Sequence, residues 1–144
     1  MYFLRKLRSF DLNPRILYSF YCSAVHSVLT FGAICWGGNI QDQDKNRINK
    51  IIRKAGNVIG RQLTTFDHFS NDRTLEKIKH IVDDSTHPLK ETFTPMTSGS
   101  GRYRQPGKGR ISARYSKSFV PRAVHLFNEN HIRCYDKKEE SCEK

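Results

Sequence analysis

Residues 41–60 carry the clearest alternation of apolar and polar positions in the chain. Ile48, Ile51, Ile52, Ala55, Val58 and Ile59 follow one another at i, i+3, i+4, i+7 spacing, the period of one helix face. Asp42 and Asp44 stand at the start, where the helix dipole favours acids. Gly60 stands where a helix can stop. Arg47, Lys50, Arg53 and Lys54 fall on the opposite face. The pattern predicts one face against a core and a basic ridge towards solvent or phosphate.

Three weaker patterns predict further helices. In residues 1–10, Phe3, Leu4, Leu7 and Phe10 recur at helical spacing with Arg5, Lys6 and Arg8 opposite. Asn13 and Pro14 then suit an N-cap and a first helical position. In residues 71–84, Asn71 or Asp72 can cap a helix whose stripe is Leu75, Ile78 and Val82, and Ser85-Thr86-His87-Pro88 breaks it. In residues 119–128, Phe119, Val120, Ala123, Val124 and Phe127 share one side of a short helix.

Residues 16–36 contain no charged side chain, and Gly37-Gly38 ends the run. As a helix it would be about 32 Å long, enough to cross a membrane, and basic residues precede it as in a signal anchor. Ser19, Ser23, Ser27 and Thr30 mark a more polar face, however, with Tyr18 and His26 nearby, and Gly32 interrupts the run. A core helix, or a helix and a strand, is the preferred expectation.

Composition sharpens this picture. At 144 residues the chain has room for one domain, with or without a tail, and not for a complete polymerase, kinase or barrel enzyme. Residues 1–60 hold 19 of the 35 Leu, Ile, Val and Phe residues, so the core is expected there. Residues 94–118 hold no acid, six Lys or Arg, four Gly and two Pro, which predicts a basic, poorly ordered, extended arm. Residues 129–144 read as a charged, frayed tail. The fold expected is mainly α. A helical core over 1–61 comes first, then a helix and loops over 62–93, the arm over 94–118, the short helix over 119–128 and the tail.

The net charge is +11, with +4 in residues 41–61 and +7 in residues 102–122. Such a field suits a polyanion: nucleic acid or an acidic membrane surface. Arg47, Lys50, Arg53, Lys54 and Arg61 could track phosphates. Arg102, Tyr103, Arg104, Lys108, Arg110, Arg114, Tyr115 and Lys117 interleave cations with rings that could stack on bases. The alternative is a solvated charged face. Cys22, Cys35, Cys134 and Cys142 form no CxxC pair, and reduced thiols in an intracellular protein, nuclear or cytoplasmic, are expected.

Candidate chemistry beyond this is sparse. Asp83-Asp84 follows Ile81-Val82 but ends a helical pattern, so the two acids read as surface groups near a turn. His125, His131, Cys134 and Cys142 lack the tight pairs usual for zinc, and a zinc-dependent module is a minor alternative. No catalytic triad and no phosphate-binding glycine loop is visible. No cofactor and no metal is expected.

Four motifs in order carry a family resemblance. They are Cys35-Trp36-Gly37-Gly38, then Ile51-Ile52-Arg53-Lys54-Ala55-Gly56-Asn57-Val58-Ile59-Gly60, then Thr86-His87-Pro88-Leu89, then Ser118-Phe119-Val120-Pro121-Arg122-Ala123-Val124 running on to Leu126-Phe127-Asn128. Over residues 1–128 the chain resembles the region after the palm in reverse transcriptases of LINE-type (non-LTR) retrotransposons, with spacing similar to vertebrate, fish-like elements. The resemblance implies a thumb-like helical core that helps to hold a template–primer duplex of RNA or DNA. The family's palm Asp-Asp motif and its endonuclease match no position here, so it implies a catalytically silent C-terminal remnant. The parent's palm domain would be a second partner. A small membrane protein anchored by residues 16–36 is the alternative reading.

Overall fold

The computed structural model describes residues 1–97, 101–107 and 112–142, with residues 131–142 described by backbone alone. It is mainly helical and divides into two units, Met1–Ser70 and Asn71–Lys144. The first holds α1 (Tyr2–Arg8), α2 (Pro14–Tyr21), a π-helical turn (Cys22–His26), α3 (Ser27–Thr30), α4 (Ala33–Trp36), α5 (Asp42–Ile59) and the start of α6 (Phe66–Asp83). The second holds the rest of α6, a 3-10 turn (Lys90–Thr92), α7 (Ala113–Ser116) and α8 (Phe119–Cys142). Lys108, Arg110 and Ile111 lie outside the described residues.

Helix α5 matches its pattern closely. Ile52, Ala55, Gly56 and Ile59 are buried, and Gly60 ends the helix with φ +79°, in the left-handed region glycine enters without a Cβ clash. Ile51 flanks the buried strip and is exposed. Ala55 and Ile59 form one cluster with Leu4, Leu17 and Tyr21. Ile52 forms another with Ala33 and Phe66. The last turn of α5 contains no basic residue. Arg8 of α1 takes that role, its Nη1 donating to the Val58 carbonyl, which places a cation at the negative end of the helix dipole.

The pattern for α1 is only half right. Leu4 is buried and Leu7 half-buried, but Phe3 and Phe10 are exposed. Seven residues give one inward line, and Leu4 with Leu7 takes it. Asn13 and Pro14 behave as expected: the Asn13 Oδ1 accepts from the Arg15 N–H at 2.9 Å, and Pro14 opens α2.

The uncharged run is helical, but less buried than the core helix, or helix and strand, expected. Pro14–Trp36 contains the π turn and is broken at Phe31-Gly32, where Gly32 has φ +61°. Only 17% of its most apolar window is buried. Leu17, Tyr21 and Ala33 face the core, while Ile16, Val28 and Phe31 are exposed. Ser23, Ser27 and Thr30 of the polar face bond locally, the Ser23 hydroxyl donating to the Phe20 carbonyl at 3.2 Å. The Ser27 hydroxyl donates to the Ser23 carbonyl and the Thr30 hydroxyl to the His26 carbonyl, a back-bonding habit that bends helices.

The Cys-Trp-Gly-Gly motif is a packing device. Trp36 stacks on Phe66 with ring centres 5.1 Å apart, and its Nε1 donates to the Phe31 carbonyl at 2.7 Å. A Cβ on Gly37 would sit 2.5 Å from the Ala33 carbonyl oxygen and 2.6 Å from the Ser70 Oγ. Both are closer than any real carbon contact.

Helix α6 begins five residues earlier than the pattern predicts, at Phe66. The Asn49 Oδ1 accepts from the Phe66 N–H at 2.9 Å, satisfying an early helix donor from a distant residue. The inward line is Phe66, Ser70, Thr74, Ile78 and Ile81, all buried. Ser70 and Thr74 hide that line from a hydrophobicity pattern, and Ile81 replaces the expected Val82 as the innermost residue.

In the second unit Ile78, Ile81, Phe93, Ala123 and Val124 form the core. The expected arm is partly folded. Pro95 and Tyr103 pair antiparallel, with the Met96 N–H donating to Arg102 and the Arg104 N–H to Thr94, both at 2.8 Å. The terminal helix is longer than expected and runs on through the predicted tail to Cys142. No Gly or Pro lies between Arg122 and Cys142, and Lys and Glu sustain helices well.

Gly37→Ala should destabilise the first unit. Overpacking of this kind costs about 1–3 kcal/mol, and each kcal/mol lowers Tm by about 4–8 °C in a unit of this size. Calorimetry of the variant beside the wild type checks it, and an unchanged Tm contradicts the packing described.

Candidate nucleic-acid interface

The buried strip of α5 sets what its other face can do. Arg47, Lys50, Arg53 and Lys54 are exposed, as their positions opposite Ile52, Ala55 and Ile59 require. Arg47 is paired with Asp44 at 3.1 Å one turn earlier. Among the described residues Lys50, Arg53 and Lys54 carry no ion pair. Lys45 is drawn instead to Asp67 at 3.4 Å and Asp42 at 3.8 Å. Together the first-turn acids hold Lys45 and Arg47, and the later cations face water.

Arg61 leaves that ridge. Its guanidinium lies over the Tyr18 ring, 4.5 Å from the centroid, a cation–π contact. The Cys22 thiol, hydrogen-bonded to the Tyr18 hydroxyl, holds the Tyr18 pKa above the ordinary tyrosine value against the opposing pull of Arg61. Burial does the same for Tyr21. Both rings are therefore neutral at physiological pH.

Between the C-terminal half of α5 and the loop at residues 61–65 runs a groove of about 490 Å³. Arg53 and Arg61 stand on it, Asn49, Asn57, Gln62 and Thr65 supply amides and a hydroxyl, and Ile52, Gly56 and Leu63 line the rest. Gly56 permits the close approach: a Cβ there would lie 2.6 Å from the Arg61 carbonyl oxygen. Sequence patterning does not single out Asn49, Asn57, Gln62 or Thr65. The available signal is Gly56 and Gly60 one turn apart before a polar loop.

In the second unit the expected binding residues separate by role. Tyr103 is half-buried in the core, edge-on to Phe127 at 5.1 Å and to Phe93 at 6.2 Å. Its backbone is held at both ends by one side chain. The Tyr103 N–H donates to the Asn128 Oδ1, and the Asn128 Nδ2 donates to the Tyr103 carbonyl, each at 2.9 Å. Burial raises the Tyr103 pKa. The ring is thus part of the fold and is not presented to a base. Arg102 is half-buried and engaged, whereas Arg104, Arg114, Tyr115 and Lys117 are exposed. Ser112 caps α7, its Oγ accepting from the Tyr115 N–H at 3.2 Å.

The paired acids behave as turn residues. Asp83 ends α6. The Asp84 Oδ1 accepts from the Thr86 hydroxyl at 2.7 Å and the Thr86 N–H at 2.9 Å, and these bonds hold its carboxyl below the usual range. Among the described residues no three His, Cys, Asp or Glu side chains gather to hold a metal ion. His125 pairs with Glu129 at 3.3 Å, and the side chains of His131, Cys134 and Cys142 lie outside the described residues. Cys22 and Cys35 are free thiols.

The chain matches no protein-family model, no curated protein and no solved structure.

Asn128→Ala should release Tyr103. Each lost bond is worth about 0.5–1.5 kcal/mol, so the Tyr103 amide should exchange with solvent roughly tenfold faster, as local opening governs protection. Hydrogen exchange followed by NMR checks this, and unchanged protection contradicts the clamp.

Proposed function

We propose that this chain binds the phosphate backbone of RNA or DNA through the exposed cations of α5, chiefly Lys50, Arg53 and Lys54, with Arg47 and Arg61 beside them. Arg104, Arg114 and Lys117 of the second unit act as further contacts. The observation that carries the proposal is the set of exposed cations Lys50, Arg53 and Lys54, without an ion pair among the described residues, on a helix whose opposite face is locked in the core. Counterion release makes such a surface attractive to any polyphosphate. Together with the four ordered motifs, it supports a thumb-like remnant of a LINE-type RNA-directed DNA polymerase, catalytically silent alone. Its partners are then a template–primer duplex and the palm domain of its parent.

A membrane anchor is the second reading, and one observation favours it. Pro14–Trp36 spans 23 residues, with a window of mean hydropathy 1.3 of which 17% is buried. It ranks second because Leu17 and Tyr21 are built into the same core as Ala55 and Ile59, and insertion would strip that core. Release of the chain by carbonate extraction removes the reading, and retention in the membrane pellet favours it.

A salt titration of binding tests the first reading. Engagement of about five phosphates gives a slope of log K against log salt near −3.5 for single strands and −4.5 for duplex. Arg53→Glu combined with Lys54→Glu should weaken binding to all sequences alike and flatten the slope by about 1 per cation removed. Binding indifferent to salt overturns the proposal.

A further inference from the structure

The groove beside α5 has a composition that phosphate tracking alone does not explain. Asn49, Arg53 and Asn57 stand one turn apart along α5, and the loop at residues 61–65 faces them with Arg61, Gln62 and Thr65. The Arg53 guanidinium suits a phosphate, and Arg61 adds positive charge beside the groove. Three side-chain amides, each both donor and acceptor, suit the edge of a heterocyclic base. Ile52, Gly56 and Leu63 offer an apolar surface for its face. No acid lines the groove.

Two features pre-organise it. The Tyr18 ring holds Arg61 in place. Asn49 is fixed through its Oδ1 by the Phe66 N–H, which leaves its Nδ2 as a donor. The volume, about 490 Å³, lies in the range of sites for single small ligands, about 300–1,000 Å³. That is room for one nucleotide and not for a duplex.

We infer that this groove takes one unpaired nucleotide of the bound strand, its phosphate on Arg53, with Arg61 beside it, and its base edge on Asn57 and Gln62. The inference rests on the backbone-binding reading and adds to it a site for an unstacked base, the form in which single strands are usually read.

The test separates base from phosphate. Two probes share one duplex and one short 3′ overhang, the overhang carrying bases in one and abasic sugars in the other. Their phosphate counts are equal. Fluorescence anisotropy at fixed salt should show the base-bearing probe bound roughly tenfold more tightly, the scale of one well-held base. Asn57→Ala with Gln62→Ala should abolish that preference. Both residues are exposed, so the double variant leaves no buried hole, and circular dichroism confirms its fold. Equal binding of both probes, with salt dependence intact, overturns the groove and leaves the backbone reading standing. A preference that survives in the double variant also overturns it. Failure of both probes to bind overturns the backbone reading and the groove with it.

Discussion

How closely the α5 backbone can be approached at Ala55 and Gly56 decides the rest of the first unit. Ala55 is small enough for Leu4, Leu17 and Tyr21 to close over the helix, and Gly56 lets the following loop return across it. Burying Leu4, Leu17, Ile52 and Ile59 stabilises by about 1.5–3 kcal/mol each. The exposed Arg47–Asp44 pair contributes about 0–1 kcal/mol. Burial therefore orients α5, and its charges follow. The basic ridge, the Arg8 cap and the groove are all consequences of that one orientation.

Where apolar spacing and a stop residue agreed, the elements were legible in the sequence. Helix α5 ran from its acidic first turn to Gly60 as its pattern said, and Asn13-Pro14 opened α2. What escaped the pattern was contact made by polar groups. The buried Ser70 and Thr74 disguised the inward line of α6, and its start was set by Asn49, seventeen positions away in sequence. The folded part of the arm escaped for the same reason: two hydrogen bonds with Asn128, one accepted and one donated by its amide, hold Tyr103 in a segment whose own composition could not. The uncharged run misled in the opposite sense. Its lack of charge suggested a core helix, or a helix and a strand, but it is helical from Pro14 to Thr30, breaks at Phe31-Gly32 and leaves Ile16, Val28 and Phe31 exposed.

For the candidate site, the cations of α5 were readable because a helix with one buried face must present the other. Tyr103 and Arg61 were not, because aromatic and cationic residues serve packing as readily as binding, and only their neighbours separate the two uses. The groove residues were invisible for a related reason. Asn49, Asn57, Gln62 and Thr65 are ordinary polar residues until the loop brings them together.

The central claim is that the cations opposite the buried strip of α5 meet phosphate. Side-chain NMR reads this directly, through the Arg Nε–H and Lys Nζ signals during titration with a short duplex. The account predicts that Lys50, Arg53 and Lys54 shift in a salt-sensitive way while the Ile52 and Ile59 methyls stay still. It is contradicted if those cations are silent and the changes gather instead at Ile16, Val28 and Phe31.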